Sequence, residues 1–200
     1  SDEAFNKWYN TQHIRDIFKA GYATLALRYQ TWPYLAVYNL PDIHFLKDPS
    51  YKDKLPVTSD LFPEKGKEVH EWVDFDTRFY TPIQTFEPPR NAKKTSRPKI
   101  VFTVHFEPGN GKEGEREFDE WYRKQHLDML SMLPNYRRSI IYKAVNNAKP
   151  RFLVIHEMDS AELDPHLMGV LMNTEWAKKI LGEAESFEMA GWEMSFGRGR

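Results

Sequence analysis

Two nine-residue stretches carry the residue types that most readily move protons. Phe5-Asn6-Lys7-Trp8-Tyr9-Asn10-Thr11-Gln12-His13 recurs 113 positions later as Phe118-Asp119-Glu120-Trp121-Tyr122-Arg123-Lys124-Gln125-His126, identical at five of nine positions. Each pairs an imidazole, which titrates near neutrality, with a phenol able to donate a hydrogen bond. At 100° per residue with Phe118 at zero, Trp121 falls at about −60°, Tyr122 at about +40°, Gln125 at about −20° and His126 at about +80°. All five share one face of a predicted helix, extended by Leu130 and Leu133; copy one repeats it with Phe5, Trp8, Tyr9, Gln12, His13 and Ile17. A buried imidazole or amide must find a partner or face a cavity. Two readings stand: Gln and His tie the helix to the sheet, or the histidines touch a ligand.

Further candidates sit on predicted strands. Val101, Thr103, His105 and Glu107 alternate with Phe102, Val104 and Phe106, so one strand face is lined by polar groups. If that face looks into a cavity, His105 approaches His126; if it looks elsewhere, His105 is an ordinary strand residue. His156 shares a face with Phe152 and Val154, as a core histidine or a cavity residue. No metal site is expected. His156-Glu157-Met158-Asp159 lacks a second His at i+4 and reads as strand, and His166 follows Pro165 in a turn. Neither a phosphate loop, a dinucleotide fingerprint nor a Gly-x-Ser-x-Gly elbow is present.

The elements that must position these groups form a repeat. Beyond the nine-residue match, Tyr29 corresponds to Tyr142, and Pro33-Tyr34-Leu35-Ala36-Val37 to Pro150-Arg151-Phe152-Leu153-Val154 after a four-residue insertion. Basic, Pro-flanked residues 88–98 read as a linker between a first repeat, 1–87, and a second, 99–200. Copy two is predicted as a strand at 99–107, a helix from about Glu115 to Leu133, strands from about Ser139 to Lys143 and at 151–158, a helical region from Pro165 to Gly182 and a strand from about Phe187 to Phe196. Copy one shows a helix at 3–20 and strands at 22–29 and 34–40. Residues 43–70 carry little helix signal, and 72–86 read as its closing strand. A counterpart of the 99–107 strand is expected before Ser1, where the chain opens with neither Met nor a signal-like stretch.

The whole composition narrows the class. Two hundred residues, 40% hydrophobic, suffice for one domain or two packed half-domains. Twenty-eight basic against 29 acidic residues leave a net charge of −1, so neither nucleic acid nor an anionic membrane is an expected partner. Zero cysteines exclude thiol nucleophiles, zinc-thiolate sites and disulfides. The longest apolar runs are far too short to span a membrane, and a cytoplasmic protein is expected.

The run from Phe118 through Trp121-Tyr122, Gln125-His126-Leu127 and Leu133-Pro134 to Tyr136, after a strand and a Pro-Gly loop, resembles the EthD-like members of the dimeric α+β barrel superfamily. The resemblance covers nearly all of copy two, and copy one from Phe5 to about Leu40; copy one departs where Ala20-Gly21-Tyr22 replaces Leu-Pro. It implies an α+β fold in which two ferredoxin-like βαββαβ repeats with antiparallel sheets form an intrachain barrel, a pseudo-dimer that can associate further. It also implies a ligand cavity between the sheet and helices of a unit. Aromatics at 14% of the chain would line that cavity for a small, flat, hydrophobic molecule.

The implied activity is cofactor-independent decarboxylation, dehydration or cyclisation of an aromatic or polyketide-like substrate in secondary metabolism. The roles expected are His126 as general acid or base, His105 as its partner, Tyr122 as donor to an enolate, and His13 and Tyr9 as the equivalent set. Trp121, Phe106, Phe118, Trp8 and His156 are the expected substrate contacts. The alternatives are a small monooxygenase or haem-handling protein, and a non-catalytic binding or stress-related protein.

Overall fold

The computed structural model describes residues 2–30, 34–62, 64–91 and 95–199, with the side chain of Lys52 set aside. Pro33 of the repeat match and 92–94 of the linker lie outside the described residues. By its contacts the chain divides into two units, one reaching to Thr77 and taking back the chain from Ser195, the other Arg78–Met194. No helix among the described residues is long and apolar enough to cross a membrane.

In the first unit, α1 (Asp2–Trp8) and α2 (Ile14–Lys19) are joined by a π-helical turn, Tyr9–His13. The chain leaves α2 through Gly21, at φ 74°, which lets Tyr22 N–H reach the Ile17 carbonyl at 3.1 Å and Gly21 N–H that of Phe18 at 3.0 Å. The Leu-Pro of the other copy cannot make this exit, which needs a left-handed residue. Strands β1 (Leu25–Gln30) and β2 (Tyr34–Asn39) follow as an antiparallel pair. Among the described residues of 43–71 lie three short 3-10 turns and one isolated bridge, Thr58 to Glu68.

The second unit contains a complete βαββαβ order. Strand β4 (Ile100–Glu107) leads to α3 (Gly111–Trp121), a π-helical turn at Tyr122–His126 and α4 (Leu127–Leu130). Then come β5 (Tyr136–Ala144), β6 (Phe152–Met158), α5 (Pro165–Met172), α6 (Glu175–Gly182) and β7 (Ser186–Gly199). The strands lie in the antiparallel ferredoxin-like order β7-β4-β6-β5. Strand β3 (Tyr80–Phe86) adds to the outer edge of β5, pairing Thr85 with Ile140 and Phe86 with Ser139. The predicted strand at 72–86 is therefore only its second half, and it belongs to this unit's sheet; residues 195–199 of β7 lie beside β1 in the first.

Register places a row of four residues across the second sheet: Gly191, Phe102, His156 and Ser139. The next row on the same face is Met189, Val104, Val154 and Ile141. Helices cover this face because it is the more apolar one: Phe106 stacks on Phe118 at 4.4 Å, and Phe118 meets Phe152 at 5.0 Å. The opposite face of β4 is also closed. Val101, Thr103 and Glu107 are buried, with Trp192 Nε1 donating to Thr103 Oγ1 at 2.8 Å and Arg151 Nε to Glu107 Oε1 at 2.8 Å.

Candidate active site

Both π turns add one residue to a helix turn, closing bonds from Ile14 N–H to the Tyr9 carbonyl and from Leu127 N–H to that of Tyr122. A π turn stacks residue i on i+5, which an α-helix holds about 140° apart. Trp121 and His126 accordingly pack ring on ring at 4.2 Å, and Trp8 and His13 at 4.7 Å. The uniform 100° wheel, which separates these partners, is corrected on this point. Tyrosine edges complete each cluster, Tyr122 to His126 at 4.9 Å and Tyr9 to His13 at 4.8 Å. Glutamine secures each turn: Gln125 Oε1 accepts from Thr174 Oγ1 at 2.9 Å, and Gln12 Oε1 from Ser59 Oγ at 2.7 Å. Thr174 is itself the N-cap of α6, so the turn is tied to the next helix rather than to the sheet.

Between the second unit's strands, on their helix-side face, and its helices lies a cavity with about 50 Å³ of room for water centres, the empty space reaching about 580 Å³ once the open mouth is counted. Phe102, Val104 and Phe106 of β4 form its floor, with Met158, Phe187 and Met189 beside them. Trp121, Tyr122 and His126 descend from the π turn, and Met168, Leu171 and Met172 from α5. The polar groups in this apolar lining are two histidines, a phenol and an indole N–H: His126, His156, Tyr122 and Trp121, whose Nε1 is buried without a hydrogen-bond partner.

His126 is 7% exposed, and its Nδ1 is buried with no hydrogen-bond partner. Burial, with the nearby His156 adding to it, pushes its pKa down to about 3. His156, 6% exposed, is pushed by burial to about 4. Both rings are neutral at pH 7. Their centroids are 6.3 Å apart, and the Tyr122 ring lies parallel to His156 at 6.3 Å. Burial raises the Tyr122 phenol well above its ordinary pKa, and its hydroxyl has no partner among the described residues.

A chain of hydroxyls sets the His156 tautomer. Tyr136 OH lies 2.7 Å from Ser139 Oγ, which lies 2.7 Å from His156 Nδ1. Either hydroxyl can donate in the Tyr136–Ser139 pair; with Tyr136 donating, Ser139 donates onward to Nδ1 and the ring proton is on Nε2. Sequence reasoning left His156 open and missed Ser139 and Tyr136. The strand alternation that put His156 with Val154 was the usable signal.

The remaining expected site residues fall elsewhere. His105 is on the opposite face of β4 from Phe102, Val104 and Phe106, so it does not line the cavity or meet His126: the covered face is the apolar one. Phe118 packs between Phe106 and Phe152 instead of lining the cavity, because it sits one turn before the π insertion. Trp8, Tyr9 and His13 belong to the first unit, where Trp8 and Tyr9 are core. There Tyr38 OH donates to Tyr9 OH at 2.9 Å, and burial lowers the His13 pKa to about 4. Among the described residues no three His, Asp or Glu side chains gather as metal ligands.

No family model matches the chain. It is 29% identical over 181 residues to core atranone cluster (CAC) protein 1 of Stachybotrys chlorohalonatus (strain IBT 40285), covering 78% of this chain and 74% of that one. Among solved structures it resembles an anthrone oxidase-like protein, with TM-score 0.50 and 14% identity over 99% of this chain and 88% of that one. It also resembles a candidate monooxygenase from Lactobacillus acidophilus NCFM, with TM-score 0.51 and 10% identity over 99% and 90% of the two chains. At such identities the likeness is one of fold, the α+β barrel class of those proteins.

Proposed function

We propose that the chain is an enzyme of secondary metabolism that moves protons on a small, hydrophobic, aromatic or polyketide-like substrate held in the second unit's cavity. The observation that carries this reading is His126: a neutral imidazole whose buried Nδ1 has no partner, placed in an apolar cavity beside a phenol and a second imidazole. An unsatisfied buried polar atom is expensive, and its persistence beside a cavity is what a reactive group requires.

In this reading His126 is the general base that takes a proton from an acidic C–H or phenol O–H. Tyr122, held protonated by burial, donates to the enolate or phenolate oxygen that results. The imidazolium formed at His126 returns its proton to the leaving group or product, and neutral His156, held by Ser139, hydrogen-bonds the substrate. Trp121 and Phe106 are walls that fix the reactive conformer. Decarboxylation, dehydration and aldol-type cyclisation all run on such proton transfers, without a bound cofactor. The name of the curated relative ties that protein to the atranone cluster, which supports the metabolic setting. In the same reading the enzyme is cytoplasmic.

The same reading takes 1–87 and 99–200 as a tandem duplication of an EthD-like repeat joined by 88–98. Its support is the π turn recurring at the same offset with the same Trp, Tyr, Gln and His partners. His13 and Tyr9 are then the first repeat's version of the set.

The test is turnover of a panel of aromatic acids and polyketide-like acids by the wild-type protein and His126→Gln, in air and under argon. A loss of about a hundredfold or more in the variant, with wild-type turnover undiminished under argon, is expected. Full turnover by a folded His126→Gln protein would remove His126 from the chemistry. A strict need for oxygen would replace proton transfer by the oxygenase alternative.

A further inference from the structure

Strand register makes the two units comparable residue by residue. Arg28 faces Ala36 in the β1–β2 pair as Ile141 faces Val154 in the β5–β6 pair, with Arg28 and Ile141 at the repeat offset of 113. Tyr38 then occupies the place of His156, and Ala26 that of Ser139. Where the second unit has an apolar isoleucine beneath its helix, the first has a guanidinium.

That guanidinium is 2% exposed, and no carboxylate among the described residues pairs with it. Arg28 Nη1 donates to Asn10 Oδ1 at 2.8 Å and Nη2 to Asn6 Oδ1 at 2.9 Å, both neutral amides, while Nε is buried without a partner. Aromatic faces enclose the cation: Tyr9 at 4.2 Å, Tyr34 at 5.3 Å and Phe5 at 5.6 Å. Because Tyr38 donates to Tyr9, the Tyr9 proton has no acceptor among the described residues, and burial keeps that phenol protonated. Desolvation lowers the Arg28 pKa, the mark of a buried cation lacking an anion.

We infer that this niche in the first unit is a binding site for a small organic carboxylate. The planar fork of Arg28 and the Tyr9 hydroxyl supply the donors, and a carboxylate is a stronger acceptor for a guanidinium than either amide it would displace. Asn6, Asn10, Tyr34 and Phe5 are half-buried, so the cation lies one side chain below the surface and rotation of a carboxamide opens it. Flat aromatic walls favour a planar carboxylate over a tetrahedral dianion, for which the niche has too few cationic donors. None of these residues lines the second unit's cavity, and the inference is independent of the chemistry proposed there.

The probe is sodium benzoate, titrated calorimetrically at constant ionic strength, with benzyl alcohol as the uncharged control. One benzoate per chain is expected to bind, benzyl alcohol not to compete, and Arg28→Met to weaken benzoate at least about tenfold. Asn10→Asp places a carboxylate where Oδ1 now accepts from Nη1; it should raise the denaturation midpoint and suppress benzoate binding together. Failure of benzoate to bind the wild-type protein overturns the site, as does undiminished affinity in Arg28→Met. If Arg28→Met does not fold, an Asn10→Asp protein with unchanged midpoint and unchanged benzoate affinity overturns it equally.

Discussion

Ser139 and His156 face each other across the β5–β6 pair, and the serine hydroxyl sits 2.7 Å from Nδ1 of the imidazole. Because Tyr136 stands behind that hydroxyl, one ring nitrogen is committed to the protein and the other is left for a ligand. The arrangement makes His156 an oriented donor, whereas His126 beside it is held by ring packing alone.

Replacing Ser139 by Ala should uncouple orientation from presence. His156 Nδ1 and the Tyr136 hydroxyl would both lose their partner in the interior, at a cost of about 2 kcal/mol or more. Turnover should fall by up to about a hundredfold with KM little changed, and Ser139→Thr should recover part of both. Steady-state kinetics beside urea denaturation checks this; a normal kcat in Ser139→Ala would dismiss the orienting role.

Acid sensitivity follows from the three depressed imidazoles, His13 and His156 at about 4 and His126 at about 3. Each binds its proton in the unfolded chain near 6.5 and in the folded one only far below. Their contribution is therefore complete above about pH 6.5 and is lost as pH falls toward about 4, with a slope of about 1.4 kcal/mol per pH unit for each. Urea midpoints between pH 7.5 and 4.5 should drop steeply for the wild type and less steeply for His126→Gln and His156→Gln. Equal slopes in all three proteins would contradict the burial of these rings.

Gly191→Ala is expected to reshape the cavity from the side. A Cβ there would stand 2.9 Å from Cε1 of Phe102, the far end of a ring that can swing, and Phe102 is part of the cavity floor. The stability cost should be about 1–3 kcal/mol, and KM should rise more for bulky than for compact substrates. A uniform effect on substrates of all sizes would show that the ring moves elsewhere.

Glu107 is the stability counterpart on the opposite sheet face. It is 1% exposed and accepts from both Arg151 Nε and Arg151 N–H, each at 2.8 Å. Glu107→Gln should lower stability by about 1–3 kcal/mol, since Arg151 loses a buried counter-charge while keeping Glu115 on Nη1 at 2.9 Å. Chemical denaturation reads this directly, and a shift below about 0.5 kcal/mol would place the pair among surface ion pairs.

Strands β4 and β6 were legible because β-branched and aromatic runs bounded by turn residues have few other uses. The alternation along β4 told which residues travel together, Phe102 with Phe106 and Thr103 with His105. It did not say which set the helices cover, since both faces are buried, and His105 was placed on that uncertainty. The π turns were invisible for a different reason: a helical wheel assumes the period whose local failure creates the Trp121–His126 contact. The sequence match of Pro33 with Pro150 carries an offset of 117, whereas strand pairing sets Ala36 opposite Arg28 as Val154 lies opposite Ile141, an offset of 118. In a strand one residue exchanges the two faces. By pairing, Tyr38 lies opposite Ala26 as His156 lies opposite Ser139.

A π turn is a helix carrying one residue more than its length needs, and among the described residues there are two, each directly after a tryptophan. Removing Lys124 would let the backbone anneal into an ordinary α-helix of nearly the same length. The imidazole would then follow Trp121 by four positions, about 40° around an α-helix, so it would stay over the indole, and the side chains beyond it would keep their phase. What the extra residue provides is the widened backbone turn between the two rings, so a chain one codon shorter here would carry the same aromatic pair on an unwidened helix.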